Sequence, residues 1–211
     1  MKKEIINFEF EVRAESSEDQ GRFLTGNPIV FDSETEIYSP LRGRFIEVVE
    51  KGALTETDLR DVRFLVNHNT DMIPLARSRN NTANSTMQIV VDPEKGMFIR
   101  VNLDTENNTE ARNLYSAVER GDITGMSFMF ADVKDTWENA RDALPKRHVH
   151  SIGRVLEVSA VTFPAYEATS IQTRGLSDAL DCAWDSLDSE RARLEKIDRK
   201  KKKIRILTEV I

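Results

Sequence analysis

The sequence predicts an α+β domain built mainly from β-strands, followed by a charged helical extension. Apolar and polar residues alternate over residues 6–12, the period of two expected for a strand with one buried face. Two further apolar runs, MQIVVD and GMFIRVNL, flank residues 93–96, whose Pro-Glu-Lys-Gly sequence favours a hairpin turn. After Gly175 the apolar spacing changes to three and four, which is typical of an amphipathic helix.

The remaining elements follow from the same patterns. In chain order, the other predicted strands are RFLTGNPIVF, GRFIEVVEKGAL, RFLVNHN, GMSFMFADV and RVLEVSAVTF, the last of them ended by Pro164. Residues 109–120 predict a helix with Thr109 as N-cap and Gly121 as C-cap. We therefore expect a domain over residues 1–175 and a helical, charged extension over residues 176–211, lying outside the β core.

Composition limits the class of protein. A chain of 211 residues fits one domain with appendages, and its formal net charge of −6 does not favour general binding to nucleic acid. The single cysteine, Cys182, excludes an internal disulfide framework. The sequence MKKEIINFEFEV lacks the apolar run of a secretory signal, and no segment is apolar enough to span a bilayer. These features predict a soluble, cytoplasmic protein without a membrane partner.

Three polar residues interrupt apolar strands. His68 ends the run RFLVNHN, Ser127 lies within ITGMSFMF, and Glu157 is the single carboxylate of RVLEVSAVTF. Each is ordinarily structural when taken alone: a turn histidine, a hydrogen-bonded serine, or a carboxylate paired with an arginine such as Arg154 or Arg77. Together they have the composition of a general base, a nucleophile and an orienting acid, which predicts a serine hydrolase.

Other residues offer competing interpretations. The HVH segment places His148 and His150 on one side of an extended chain, an arrangement that suits the start of a metal site. A third metal ligand at suitable spacing is missing, so neither a metal nor a cofactor is expected. The basic run at residues 199–203 is typical of the solvated end of a charged helix, and no specific nucleic-acid site is predicted there.

Sequence blocks around the three residues resemble those of the HK97-type phage prohead (procapsid) maturation serine proteases. The blocks are NHNTDMIPLA, ITGMSFMF and LEVSAVTFPAYEAT, supported by FIEVVEKGAL and by EARNLYSAVERGDITGMSF. They occur in the family's order and span roughly residues 5–170. The sequence departs from the family at Met129, where relatives often have glycine, and at Asn69, where an acidic residue often follows the histidine.

The resemblance implies a fold and an activity. The fold would be similar to the herpesvirus maturational protease, with an antiparallel, barrel-like β core surrounded by helices. The activity would be that of a serine endopeptidase with His68 as base, Ser127 as nucleophile and Glu157 as third member of the triad. The herpesvirus enzymes use a second histidine as the third member, so His148 and His150 are alternatives to Glu157 in that role. Arg154 is a candidate for stabilising the oxyanion, but an ion pair with a nearby acid is the more common role of such an arginine.

The resemblance also implies partners and a location. Substrates would be the scaffold and the major capsid protein precursor, and the protease would also cleave itself. The portal protein is a further candidate partner, and analogy with the herpesvirus enzymes allows a homodimer. The protein would act in the host cytoplasm inside the assembling procapsid. The competing function is a non-catalytic module that binds capsid or scaffold on the same fold, with the C-terminal helix as a docking or targeting element.

Overall fold

A computed structural model describes residues 3–8, 12–17, 21–39, 42–162 and 174–209 of the chain. It contains eleven strands and two helices within these residues. Their bounds are β1 Lys3–Phe8, β2 Val12–Ser17, β3 Gly21–Val30, β4 Glu34–Ser39, β5 Gly43–Val49, β6 Val62–Val66, β7 Ala76–Ser78, β8 Met87–Asp92, β9 Gly96–Asn102, α1 Thr109–Glu119, β10 Gly125–Glu138, β11 Lys146–Val161 and α2 Arg174–Glu209. The prediction of a mainly β protein is confirmed.

The strands form two separate sheets. A seven-stranded sheet has the order β1-β10-β11-β5-β4, with β6 pairing β11 and β7 pairing β6, and a four-stranded sheet has the order β2-β3-β9-β8. Among the described residues neither sheet closes on itself, so the predicted barrel-like core is not confirmed. The expectation of an antiparallel core is also too simple, because β11 pairs in parallel with both β5 and β6.

The long strand β11 organises the larger sheet. Its 16 residues pair with β10 along one edge, while the opposite edge is shared between β5 near its start and β6 near its end. Both neighbouring strands run in the same direction as β11, so the end of β6 lies beside the end of β11. This arrangement brings the turn after β6 next to the residues around position 160.

Two details of the first half differ from the sequence prediction. Residues 6–12 do not form one strand, since β1 joins the larger sheet and β2 the smaller one, while Phe10 lies outside the described residues. The predicted hairpin of β8 and β9 is confirmed. Its Gly96 has a φ of +124°, and a Cβ there would lie 2.1 Å from the carbonyl oxygen of Ile29, so only glycine fits.

The smaller helix packs by one face mainly onto β2 and β3 of the smaller sheet. Its buried residues are Ala111, Leu114, Tyr115 and Val118, the set expected from helical spacing. The N-cap is Asn108 and not the predicted Thr109, because the Asn108 side chain accepts hydrogen bonds from the backbone N–H groups of Glu110 and Ala111. The error is one residue, and both residue types suit a cap.

The C-terminal helix α2 docks on the larger sheet over part of its length. The rings of Trp184 and Trp137 each meet Phe45 edge-on, with centroids 5.4 and 5.3 Å away, and Leu187 is completely buried. Arg42 pairs with Asp188 at 2.5 Å and lies over the Trp184 ring. The expectation that this helix lies outside the core is therefore wrong for this segment.

None of the helices in the described part of the chain combines the length and apolar character needed to cross a membrane.

Candidate functional site

The apolar strand of the RFLVNHN segment ends in Asn-His-Asn, which forms a tight turn. Asn67 and His68 both have left-handed backbone conformations, with φ of 50° and 55°, which turn the chain sharply after β6. The Asn67 side chain donates to Thr162 Oγ1 at 3.0 Å and accepts the Thr162 backbone N–H at 2.9 Å. Asn69 accepts the N–H of Asp71. The two asparagines thus hold the turn on either side of His68.

His68 and Glu157 form a buried pair. The imidazole Nδ1 lies 2.6 Å from Glu157 Oε1, and the two side chains are 4% and 3% exposed. With a carboxylate at this distance, the Nδ1 proton is donated to Glu157 and Nε2 becomes the nitrogen that accepts a proton. Sequence reasoning predicted both residues, and the structure brings them into direct contact.

Ser127 lies in the neighbouring strand on the same face as this pair. It is completely buried in β10 and stands directly opposite Ser159 of β11. Directly opposed residues of antiparallel strands have Cβ atoms about 5 Å apart. This register places Ser127 directly across from Ser159, the residue that contacts both His68 and Glu157.

Ser159 is the residue of this cluster that the sequence analysis missed. It shares the period-two face of Glu157, and this was the available signal. Its Oγ donates to Glu157 Oε2 at 2.5 Å and accepts the backbone N–H of His68 at 3.1 Å. A serine within a strand normally bonds a nearby carbonyl, so this signal alone does not distinguish Ser159 from an ordinary structural serine.

The departure at Met129 has a simple structural meaning. Ser127 lies within a regular strand. The backbone therefore does not need a glycine at position 129, as it would if the serine lay on a tight turn between a strand and a helix. Met129 is buried and stands opposite Glu157, where it places an apolar side chain beside the carboxylate. The register of the two strands shifts between Met129 and Phe130, so the cluster adjoins a β-bulge, a feature frequent near active sites.

His148 and His150 contact a different carboxylate. Their Nδ1 atoms lie 2.9 and 2.6 Å from the two oxygens of Glu50, and Thr136 Oγ1 lies 2.7 Å from His150 Nε2. Partial burial would raise the pKa of Glu50, but the hydrogen bonds from His150 and His148 outweigh it and lower this pKa. The two histidines therefore belong to a second cluster at the other end of β11, whereas Glu157 contacts His68.

The arginines considered as partners of Glu157 are engaged elsewhere. Arg77 binds Asp61 through two nitrogens, at 2.6 and 2.8 Å, and Arg154 lies 3.9 Å from Asp58. Asp61 and Arg77 brace the short hairpin of β6 and β7, which carries the His68 turn. Among the described residues, no group of three or more His, Cys, Asp or Glu side chains is arranged to hold a metal ion.

The Asp61–Arg77 pair predicts a pH dependence of stability. The hydrogen bonds from Arg77 hold the pKa of Asp61 below its ordinary value of 3.8, although partial burial opposes them. The carboxylate therefore stabilises the fold fully above pH 3.8, and this contribution is lost as the pH falls through the lower pKa of the folded state. Urea unfolding of wild type and Asp61→Asn should show a clear difference at pH 6 that shrinks below pH 3. A difference that grows on acidification would contradict this.

Comparisons with known proteins point to one family. A family model described as caudovirus prohead serine protease matches residues 8–181. The chain is 28% identical over 181 residues to the prohead protease of Enterobacteria phage HK97, an alignment that covers 84% of this chain and 70% of that protein. No solved structure matches the chain.

Proposed function

Because this chain belongs to the caudovirus prohead serine protease family, we propose that it is an endopeptidase that uses Ser127, His68 and Glu157 to mature the phage procapsid. The observation that carries the assignment of residues is the buried contact of 2.6 Å between His68 Nδ1 and Glu157 Oε1. A buried carboxylate that binds one imidazole nitrogen prepares the other to act as a base. Ser127, on the adjoining strand, is the nucleophile that fits this base.

The proposed reaction follows from the roles of these groups. His68 takes the hydroxyl proton of Ser127 as Oγ attacks the carbonyl carbon of a peptide bond. The protonated imidazole then gives that proton to the leaving amine, and water, activated by the same imidazole, hydrolyses the acyl-enzyme. Glu157 fixes the tautomer of His68 and stabilises its charged form during both steps. Backbone N–H groups or an arginine stabilise the oxyanion.

The proposed substrates are the scaffold and the major capsid protein precursor, together with the protease itself. The site of action is the interior of the assembling procapsid in the host cell. The portal as a partner and a homodimer belong to the same proposal, by analogy with related proteases. Residues 1–175 would form the protease domain, and residues 176–211 a helical extension that is used for targeting, is removed by self-cleavage or acts like a scaffold.

Full burial of Ser127 favours a second candidate function. Ser127 has no exposed surface, and a non-catalytic protein could use such a serine to give a buried polar group its hydrogen bond. The exposed basic end of α2, residues 199–203, then becomes the natural contact for a capsid or scaffold partner. In this alternative the chain is an assembly module that keeps the protease fold.

Co-expression with the capsid and scaffold proteins of the same phage tests the proposal. Intact-mass spectrometry should detect defined capsid or scaffold fragments with the wild-type chain and none with Ser127→Ala, which leaves the base without a nucleophile. The fragment masses also give the cleavage sites. Identical masses in the two samples, with shells assembled in both, would favour the assembly module.

A further inference from the structure

A fourth side chain completes the candidate catalytic cluster. Ser159 is completely buried, and its hydroxyl lies between the two residues that would activate Ser127. It donates to Glu157 Oε2, the carboxylate oxygen that does not contact the imidazole. It also accepts the backbone N–H of His68. One hydroxyl therefore links the acid to the main chain of the base.

These contacts define what Ser159 can do. A hydroxyl has one proton, and that of Ser159 is directed to the carboxylate at 2.5 Å, a charge-assisted hydrogen bond. A lone pair of the same oxygen is directed to the N–H of His68. An oxygen held in this way is poorly placed to attack a peptide, whereas it fixes the orientation of Glu157 about its last torsion, which is otherwise broad.

The backbone at His68 explains why such an anchor is required. Two successive residues other than glycine, Asn67 and His68, adopt left-handed conformations, which cost free energy and persist only where the surroundings impose them. Asn67 is held through its side chain by Thr162. The N–H of His68 is held by Ser159. Both anchors lie on the last residues of β11 or directly after it, so this strand sets the position of the imidazole.

We propose that Ser159 is a positioning residue of the proteolytic site, which orients Glu157 and holds the His68 turn in register with Ser127. The inference rests on the proposed function, because it concerns the efficiency of that reaction. It assigns to β11 a double role, with Glu157 as the acid and Ser159 as the group that aligns acid and base. Small errors in such alignment cost about 10²-fold in rate.

Graded variants at position 159 test the proposal. Ser159→Cys keeps the shape but offers only a weak donor, and Ser159→Ala removes donor and acceptor together. We expect the rate of capsid processing in co-expressed procapsids to fall by about 10- to 100-fold in Ser159→Ala, with Ser159→Cys between alanine and wild type. The matched control is Ser85→Ala, which removes a buried serine that likewise accepts a loop N–H, that of Arg79.

A spectroscopic readout separates positioning from general stability. The chain has three histidines, so a His148→Gln, His150→Gln background leaves His68 as the single imidazole. In the intact protein its Nδ1 proton, held by Glu157, should give a protected, far-downfield NMR resonance. Ser159→Ala should broaden or abolish this resonance while its melting temperature stays close to that of Ser85→Ala.

The outcomes are distinguishable. Loss of processing in Ser127→Ala together with partial loss in Ser159→Ala supports the inference. Loss in Ser127→Ala with wild-type rates and an unchanged resonance in Ser159→Ala overturns it and leaves the proposed function standing. Unchanged processing in Ser127→Ala defeats the proposed function itself, and complete loss confined to Ser159→Ala would make Ser159 the nucleophile.

Discussion

Replacement of Glu157 by glutamine is expected to slow capsid processing by about 10⁴-fold. Glutamine keeps the size and shape of the side chain but removes the negative charge 2.6 Å from His68 Nδ1. The imidazolium formed during attack then lacks its counter-charge, and an amide N–H aimed at Nδ1 would favour the tautomer that cannot accept the Ser127 proton. Mass spectrometry of procapsids sampled over time measures the rate.

His148→Gln and His150→Gln are the matched controls for this prediction. Each removes an imidazole next to a carboxylate, but that carboxylate is Glu50, at the opposite end of β11 from Glu157. Both variants should process capsid protein at nearly the wild-type rate. A large loss in either one, with Glu157→Gln still active, would transfer the role of third catalytic residue to that histidine.

The largest expected loss of stability comes from Arg147→Met. Arg147 is almost fully buried, and its guanidinium binds Glu47 at 3.0 Å and Asp135 at 2.5 Å. Methionine would leave the completely buried Glu47 without its cation. Removing one partner of a buried ion pair costs about 3–5 kcal/mol of unfolding free energy. Urea unfolding at pH 7 measures the change.

Two further variants separate charge burial from packing. Arg141→Met breaks an exposed ion pair with Asp198 and should cost no more than about 1 kcal/mol. Adding Glu47→Leu to Arg147→Met removes the stranded carboxylate and should recover much of the lost stability. If the double variant is less stable than Arg147→Met alone, the loss arises from packing and not from an uncompensated charge.

The sequence contains enough to locate the candidate site but not its whole membership. His68, Ser127 and Glu157 are conspicuous because each is a polar residue where the strand period calls for an apolar one. Ser159 belongs to the same cluster but does not stand out in the sequence, since a small hydroxyl side chain fits a strand without breaking its apolar pattern. The contact between His68 and Glu157 depends on the parallel register of β6 and β11, and no local pattern encodes that register.

The same distinction applies to the fold. Strand alternation, the turn at residues 93–96 and the spacing of α1 are local features, and they predicted most elements correctly, although the strand expected over residues 6–12 is not a single strand. Sheet closure, the division of β1 and β2 between two sheets and the parallel pairs of β11 depend on contacts far apart in the chain. Helix α2 shows most clearly what local patterns cannot predict. Its charged sequence predicts an exposed helix, whereas Trp184 and Leu187 are buried against the larger sheet.

The docking of α2 makes the protein its own fluorescent reporter. Both tryptophans of the chain lie at this one junction, Trp184 on the helix and Trp137 on β10, and each meets the ring of Phe45. The Trp137 indole also donates to Ser186 of the helix. Intrinsic emission therefore reports on the joint between helix and sheet, while the His68 cluster contributes no tryptophan signal. Detachment of the helix can be followed optically, without a label, in a chain whose remaining fold is intact.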